Sequence, residues 1–473
     1  MAQLLNPADT AFETRLRAAL PDAAFRPPEP RYFEEPRGLF RGQGLVVAPG
    51  STAEVAAVLR AANAARVGVV PYGGGTGLVG GQIAPEGPKP VVLSLERMNR
   101  VRAVYPLENT MIIEAGATLA AAHEAAAQAG RLYPLSLASE GSCQVGGTLA
   151  TNAGGVNVLR YGNARELCFG LEAVLADGTT WHGLKRLRKD NTGYDLRGLL
   201  IGSEGTLGVI TAAALRLFPR PKATAVALIS IADPAAALAL LSRASDAFGP
   251  GLTAFELISG QGLRFLQETD CPARIPFSAP PDWSVLIELS AFSAGDPQAD
   301  MLALFEAALE EGAALGGVVA QSETQAQALW QMREMLPEAN KRIGAISSHD
   351  ISVPIGSVPE FLSRAKGLIA KEGAFRINAF GHLGDGNLHF NLFAPPGETR
   401  ADYAGRRAEL AGMVYDLVTE LDGSISAEHG IGRLKAQELA TRADPAKYAA
   451  MQAIKAALDP NGILNPGAVL RKS

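Results

Sequence analysis

Three glycine-rich stretches constrain this chain more than any other feature: PYGGGTGLVGG at residues 71–81, GSCQVGGTLATNAGG at 141–155 and IGSEGTLGVIT at 201–211. None of them holds a lysine or an arginine, and Thr76, Ser142, Thr148 and Asn152 are uncharged hydrogen-bonding groups. Glycine lets the main chain approach an anion closely, and successive backbone N–H groups form anion-binding concavities. One such loop is as readily a plain turn. Three in series point to a large phosphate-containing cofactor gripped by main-chain amides. The string from Gly75 through Gly77 to Gly80 also satisfies GxGxxG, but that fingerprint needs a helix to begin at once. Pro85, Gly87, Pro88 and Pro90 forbid such a helix, so a dinucleotide-binding βαβ reading fails here.

Composition narrows the class. A chain of 473 residues, 47% hydrophobic and 19% charged, can bury a large core in two to four domains, or in fewer large ones. A net charge of −5 without a long basic block argues against nucleic acid as a partner. Cys143, Cys168 and Cys271 show no CxxC spacing, which disfavours a disulfide framework, a zinc knuckle and an iron–sulfur cluster held by this chain. Pro7, Asp9, Glu13 and Arg15 interrupt what would be a signal-peptide core, and no long uncharged apolar run occurs, so no transmembrane segment is expected. Cytoplasmic residence is the expectation, with any membrane contact peripheral and through an electron-acceptor partner.

Along the chain, residues 1–41 read as a short helix and a proline-rich arm. Strand–helix–strand follows over LVVA, residues 52–65 and VGVVPY, then strands at VVLSL, MIIEAG and LEAVLADGT, the last with an Asp-Gly turn. Pro219 and Pro221 mark a boundary. Beyond it, ATAVALISI, a helix over 234–245 and WSVLIELSAF alternate again, with helical patterns over 297–315 and 324–343. The last 40 or so residues read as helical, and no internal repeat is visible.

Six histidines occur in the whole chain, and three of them fall between 382 and 429. FGHLGDGNLHFNLF reads as strand, turn, strand. If residues 384–387 form the turn, His382 lies directly opposite His389 with Cβ atoms ~5 Å apart, and Asn391 shares their face. Two imidazoles so placed can take one divalent ion, or can be a hydrogen-bonded pair beside a tight turn. GSISAEHGIGRLK adds Glu428 and His429, able to supply a third ligand and a separate base. Two histidines and a glutamate with an open position make a catalytic set. Zinc suits the imidazoles, and manganese, iron or cobalt would also fit.

PYGGGTGLVGG, ASEGSCQVGGTLATNAGGVNVLRYGNARE and KDNTGYDLRGLLIGSEGTLGVIT resemble the FAD-binding domain of the vanillyl-alcohol oxidase/PCMH flavoprotein superfamily. GHLGDGNLH and AEHGIG narrow the likeness to its D-lactate, glycolate and D-2-hydroxyglutarate dehydrogenase branch, over about residues 42–467 in the same order. The resemblance implies an α+β chain: a PCMH-type FAD-binding domain of two α/β subdomains (42–221), an α+β, ferredoxin-like substrate-capping domain carrying the metal site (222–425), and a C-terminal helical segment returning to the FAD domain (426–473). It implies non-covalent FAD, held by Pro71, Gly73, Gly74, Gly75, Thr76 and Gly77, by Gly141, Ser142, Gly146, Gly147, Thr148, Asn152, Gly154 and Gly155, and by Glu204, Gly208, Ile210 and Asn465. Relatives with tethered flavin carry a histidine in the first loop, where Thr76 stands, or a cysteine in the second, where Cys143 lies.

Residue by residue, the resemblance implies His382, His389 and Glu428 as ligands of a divalent metal, with His429 as the base. Arg333 matches the arginine that grips the substrate carboxylate, aided by Asn391. Pro337 and Ser348 stand where some 2-hydroxyglutarate-oxidising members carry a threonine and a lysine. The expected reaction is oxidation of a D-2-hydroxy acid to the 2-keto acid, with hydride passing to flavin N5. Electrons would then leave to a separate acceptor such as electron-transferring flavoprotein, an iron–sulfur subunit or a quinone. A homodimer is compatible with this reading. Two other readings share the fold: a non-redox enzyme like alkyl-dihydroxyacetone-phosphate synthase, and a non-catalytic flavin subunit of a dehydrogenase complex.

Overall fold

The computed structural model describes residues 5–471. The described chain is α+β and divides into two compact units. One comprises Met1–Gly154, Gly162–Pro219 and Glu428–Ser473; the other comprises Gly155–Tyr161 and Arg220–Ala427.

The first unit holds three sheets. Strands β1 (Leu45–Val47), β2 (Val69–Tyr72) and β3 (Val91–Ser94) form a parallel sheet in the order β1-β3-β2. The helix Thr52–Ala65 makes the crossover. Ser51 caps its N-terminus by accepting from the Glu54 N–H, and Arg66 ends it in the left-handed region. A five-stranded antiparallel sheet follows, from β4 (Val101–Tyr105), β5 (Thr110–Glu114), β7 (Cys168–Val174), β8 (Thr180–Gly183) and β9 (Val209–Arg216), in the order β4-β5-β9-β7-β8. Its central strand β9 is buried over seven of its eight residues, all apolar but Thr211, whose hydroxyl donates to Glu172. The Asp177-Gly178 turn joins β7 to β8 as expected. Short strands β6 (Arg131–Leu132) and β10 (Phe218–Pro219) pair with each other. No helix starts inside the first glycine stretch, in agreement with the rejected GxGxxG reading.

The second unit is built on one seven-stranded antiparallel sheet. Its strands are β11 (Ala223–Ile231), β12 (Leu252–Ser259), β13 (Trp283–Ala291), β14 (Ala314–Val319), β15 (Ser347–Ser352), β16 (Arg376–His382) and β17 (Asn387–Phe393), in the order β14-β11-β13-β12-β16-β17-β15. Alternation along the strands gives the sheet two faces. Phe255, Leu257, Ile287, Ile351, Phe390 and Leu392 belong to one large apolar core together with Leu240, Phe361 and Val414 from the helices Pro234–Phe248, Val358–Ala370 and Arg407–Glu420. The opposite face carries Leu228, Ile258, Leu286 and Phe380 in a smaller core. The helices Gly260–Glu268, Glu323–Glu334 and Leu336–Ile343 supply Leu263, Phe265, Leu329, Met332, Leu336 and Ala339 to it. Most of the polar residues of the sheet lie on this second face.

Three local expectations are corrected. The helix expected over 297–315 stops at Glu310, and residues 314–319 form edge strand β14, because Gly312 in the left-handed region turns the chain back toward β11. The single helix expected over 324–343 is two, with Pro337 in the first turn of the second, where its missing N–H costs nothing. In the β16–β17 hairpin the connecting residues are 383–386, so Phe380, and not His382, pairs with His389. Leu383 is fully buried in the larger core and opens a 3₁₀ turn, Gly386 takes φ +76°, and the Asn387 amide fastens the next strand to Asp350 and Ile351. The register therefore moves by two, which preserves the face while making the two histidines diagonal neighbours.

Candidate active site

The three glycine stretches converge within the first unit. A Cβ on Gly74 would lie 1.9 Å from the Ser142 carbonyl oxygen, so only glycine lets the first loop lie on the second. The third loop is tied to the second by the Gly202 N–H to Leu149 O (3.0 Å) and the Glu204 N–H to Ala150 O (2.8 Å). Gly205 packs on Pro71. The N–H groups of Gly73, Gly74, Gly75, Thr76 and Gly77 donate to no acceptor among the described residues. Five consecutive unspent donors beside a second glycine loop, with no basic side chain among them, suit a pyrophosphate. FAD fits that donor set.

Several side chains assigned to the cofactor are instead engaged with the protein. Thr148 Oγ1 donates to Val145 O (2.9 Å), and Asn152 Oδ1 accepts from the Arg165 N–H (3.0 Å). The Glu204 carboxylate accepts from the N–H groups of Ile431 (2.7 Å) and Gly432 (2.8 Å), and burial pushes its carboxyl above the usual range. Asn465 donates to the carbonyls of Gly81 and Glu204. Gly146 and Gly147 lie in the short helix Val145–Ala150, Gly208 directly precedes β9, and Ile210 lies within it. Gly154 and Gly155 fall at the boundary where the chain passes from one unit to the other. Cys143 and Cys168 are buried free thiols, and burial pushes Cys168 up to about 12.

A different chemistry occupies the polar face of the seven-stranded sheet. Register places Glu256 of β12 beside His382 of β16, Phe380 beside His389, Asn378 beside Asn391, and Asp350 and Ser348 of β15 beside His389 and Asn391. The His382 and His389 rings are 5.7 Å apart, nearly perpendicular at 81°. His382 Nδ1 is 2.5 Å from Glu256 Oε1, the contact that a metal-ligating histidine makes through the nitrogen that does not bind the metal. His389 Nδ1 lies 3.9 Å from Asp350 Oδ1. Adjacent imidazoles, each beside a buried carboxylate, form a donor set that fits a zinc-type ion.

Arg333, from the last turn of the helix Glu323–Glu334, reaches the same carboxylate. Its Nε and Nη2 each lie 2.7 Å from Glu256 Oε2, and its guanidinium sits 4.8 Å from the centre of the Phe380 ring. Nη1 keeps no protein partner among the described residues. Burial would raise the Glu256 carboxyl, but His382 and Arg333 outweigh it and hold it at about 2. Asn391 is buried and donates to His389 O (3.2 Å), while Asn378 bonds Ser259 and Asn340. Beside them, Glu288 accepts from Thr253 and from the Trp330 indole (2.9 Å), and burial pushes its carboxyl up.

His382, His389, Arg333 and Asn391 thus share one face of the second unit. Glu428 and His429 begin the segment that returns to the first unit, directly after Ala427, whose N–H bonds Asp350 O (3.3 Å). Within that segment the Glu428 and His429 side chains approach to 3.9 Å. Sequence reasoning passed over Glu256 and Asp350. A signal for the first was present: Glu256 is the lone charge in the eight-residue strand LTAFELIS, every residue of which is buried.

Two family models match the chain: "FAD binding domain" over residues 44–183 and "FAD linked oxidases, C-terminal domain" over residues 220–469. Among curated relatives, D-2-hydroxyglutarate dehydrogenase of Xanthomonas citri pv. viticola is 40% identical, covering 89% of this chain and 88% of its own. The mitochondrial D-2-hydroxyglutarate dehydrogenase of Bos taurus is 36% identical over 93% of this chain and 78% of its own. Among solved structures, p-cresol methylhydroxylase with substrate bound superposes with a TM-score of 0.77 at 17% identity, covering 99% of both chains. An alkyldihydroxyacetonephosphate synthase does so at 0.72 and 18%, covering 98% of this chain and 86% of that one. At these identities the structural likeness concerns the fold alone.

Proposed function

The chain belongs to the FAD-linked oxidase family, and from that premise we propose that it oxidises D-2-hydroxyglutarate, or a D-2-hydroxy acid close to it, to the 2-keto acid. The observation that carries this reading is the polar face on which Arg333, Glu256 and His382 are joined by hydrogen bonds, with His389 beside them. An arginine with one unspent nitrogen beside two imidazoles suits a ligand that carries a carboxylate next to a hydroxyl.

In this proposal Arg333 Nη1 and Asn391 take the C1 carboxylate and fix C2 in place. His382 and His389, with Glu428 assigned from the AEHGIG string, would hold a divalent cation, which when bound would polarise the C2 hydroxyl; zinc suits the donors best. His429 removes the hydroxyl proton. The roles of Glu428 and His429 rest on the AEHGIG string. FAD, held by the glycine loops, supplies the hydride-accepting chemistry. Electrons would then leave to a separate acceptor, such as electron-transferring flavoprotein, an iron–sulfur subunit or a quinone. Among the described residues no helix is long and apolar enough to cross a membrane. Pro337 and Ser348 leave the distal carboxylate of a dicarboxylic substrate with different partners from those of the relatives that carry threonine and lysine there.

Anaerobic mixing of the flavin-loaded protein with D-2-hydroxyglutarate, D-malate, D-lactate and glycolate tests the reading. Bleaching of the oxidised flavin band is expected, fastest with D-2-hydroxyglutarate. An unchanged spectrum with every D-2-hydroxy acid overturns it.

A further inference from the structure

Glu256 is wholly buried, and both of its oxygens are committed. Oε1 faces His382 Nδ1, and Oε2 takes Nε and Nη2 of Arg333. Its neighbours on the sheet face are Ala254 and Ile258 along the strand and Leu286 across it. A position with such surroundings would be filled by an apolar side chain if packing were its sole task, since a buried ion pair is commonly no more stabilising than an apolar replacement. The second wall is equally specific. The Phe380 ring lies under the Arg333 guanidinium and 5.1 Å from the His389 ring, so arginine and imidazole are backed by one side chain.

We propose that Glu256 is a positioning residue that joins the metal ligand His382 and the carboxylate-binding Arg333 into one element, so that metal and substrate carboxylate bind cooperatively. This rests on the reading given under Proposed function. Two geometric consequences follow from one carboxylate. By accepting from Nδ1, Glu256 fixes the His382 tautomer in which Nδ1 carries the proton and Nε2 the lone pair that a metal ligand needs. By taking the Nε–Nη2 edge of the guanidinium, it leaves the Nη1 end for the substrate and sets its direction. Displacement of either partner moves the carboxylate and hence the other, and coupling between two ligands is reciprocal.

Glu256→Gln is the incisive variant, because it is isosteric and no orientation of the amide satisfies both partners. With the NH₂ group toward His382, Nδ1 must accept and the proton moves to Nε2, which closes that nitrogen to a metal. With the NH₂ group toward Arg333, donors face donors. The experiment uses the full chain loaded with FAD and measures the zinc dissociation constant by chelator competition, with and without saturating 2-oxoglutarate. Wild type is expected to hold zinc more tightly when 2-oxoglutarate is present. E256Q is expected to bind zinc about 10–100-fold more weakly and to lose that dependence, with KM raised more than kcat is lowered. Glu256→Asp, which keeps the charge on a shorter stem, restores part of both effects.

Wild-type zinc affinity and linkage in a folded, flavin-loaded E256Q overturns the inference. If E256Q does not fold, E256D decides alone: unaltered zinc affinity, linkage and KM then overturn it. His382→Ala separates the two levels. Loss of zinc in H382A with none in E256Q sinks the positioning role only; retention of zinc by H382A sinks the metal reading beneath it.

Discussion

The two units solve the problem of holding a ligand in opposite ways. In the first, the backbone presents the donors: five consecutive N–H groups from Gly73 to Gly77 stand unspent, and side chains such as Thr148, Asn152 and Asn465 brace the loops. In the second, the backbone is consumed by a seven-stranded ladder, and Glu256, Arg333, His382 and His389 gather their side chains on one polar face. A main-chain site tolerates changes of side chain but not the addition of a Cβ where loops touch. A side-chain site tolerates neither loss of a partner nor a shift of face. The contrast suits the division of labour, since a pyrophosphate needs many weak donors and a reacting hydroxy acid needs a few directed ones.

The largest expected effect tests whether the chemistry depends on side chains. Replacing His429 by alanine should lower kcat by about 10²–10⁴-fold while the flavin absorbance of the purified protein stays at the wild-type level. Activity near wild type would remove His429 from the base role. Next, Arg333→Lys keeps the charge but cannot span Glu256 and a substrate carboxylate with one planar fork. Steady-state kinetics should show kcat/KM down by roughly 1.5–3 kcal/mol, the range for hydrogen bonds to charged groups. An unaltered kcat/KM would detach Arg333 from the substrate.

The comparison can be broken from the other side by Gly74→Ala. Its Cβ would meet the Ser142 carbonyl at 1.9 Å, which forces the first two loops apart. Most of the bound flavin should be lost, with a stability decrease of about 1–3 kcal/mol by thermal melting. Full flavin content would show that the loop contact is dispensable. A smaller effect concerns Glu288, whose carboxyl is raised chiefly by burial against the hydrogen bonds from Thr253 and Trp330. The folded state then holds that proton more tightly than the unfolded chain. The resulting stability is fully present below the ordinary value of 4.5 and is lost as pH rises through the raised one. Glu288→Gln cannot ionise, so its melting temperature should gain on wild type as pH climbs above 4.5. A constant difference across that range would contradict the shift. Smallest of all, the three buried thiols should react with a thiol reagent at neutral pH only on unfolding, and rapid labelling of the native protein would show otherwise.

Legibility followed the same division. The close approach of the glycine loops could be read because it is written in composition: only glycine lets one main chain lie on another. The histidine pair was read with the correct face and the wrong partner. The turn could be placed at 384–387 or at 383–386 with equal local plausibility, and burial of Leu383 chose between them. Face survives an error of two residues because side chains alternate with a period of two. Arg333 was visible through family likeness, but the carboxylate to which it is bound, 77 residues earlier, was not.

By itself the sequence determined the alternating strands and helices, the absence of a βαβ start in the first glycine loop, the loops that suit a pyrophosphate, and which histidines share a face. These depend on local chemistry: glycine content, proline positions and hydrophobic period. Tertiary structure alone decided that Glu256 stands between His382 and Arg333, that Asp350 stands by His389, and that Glu204 and Asn465 brace main-chain segments far along the chain. The reason is physical. A buried charge has no local signature of its partner, because what stabilises it is whichever opposite charge the sheet register and the helix packing bring within 3 Å or so, however distant in sequence.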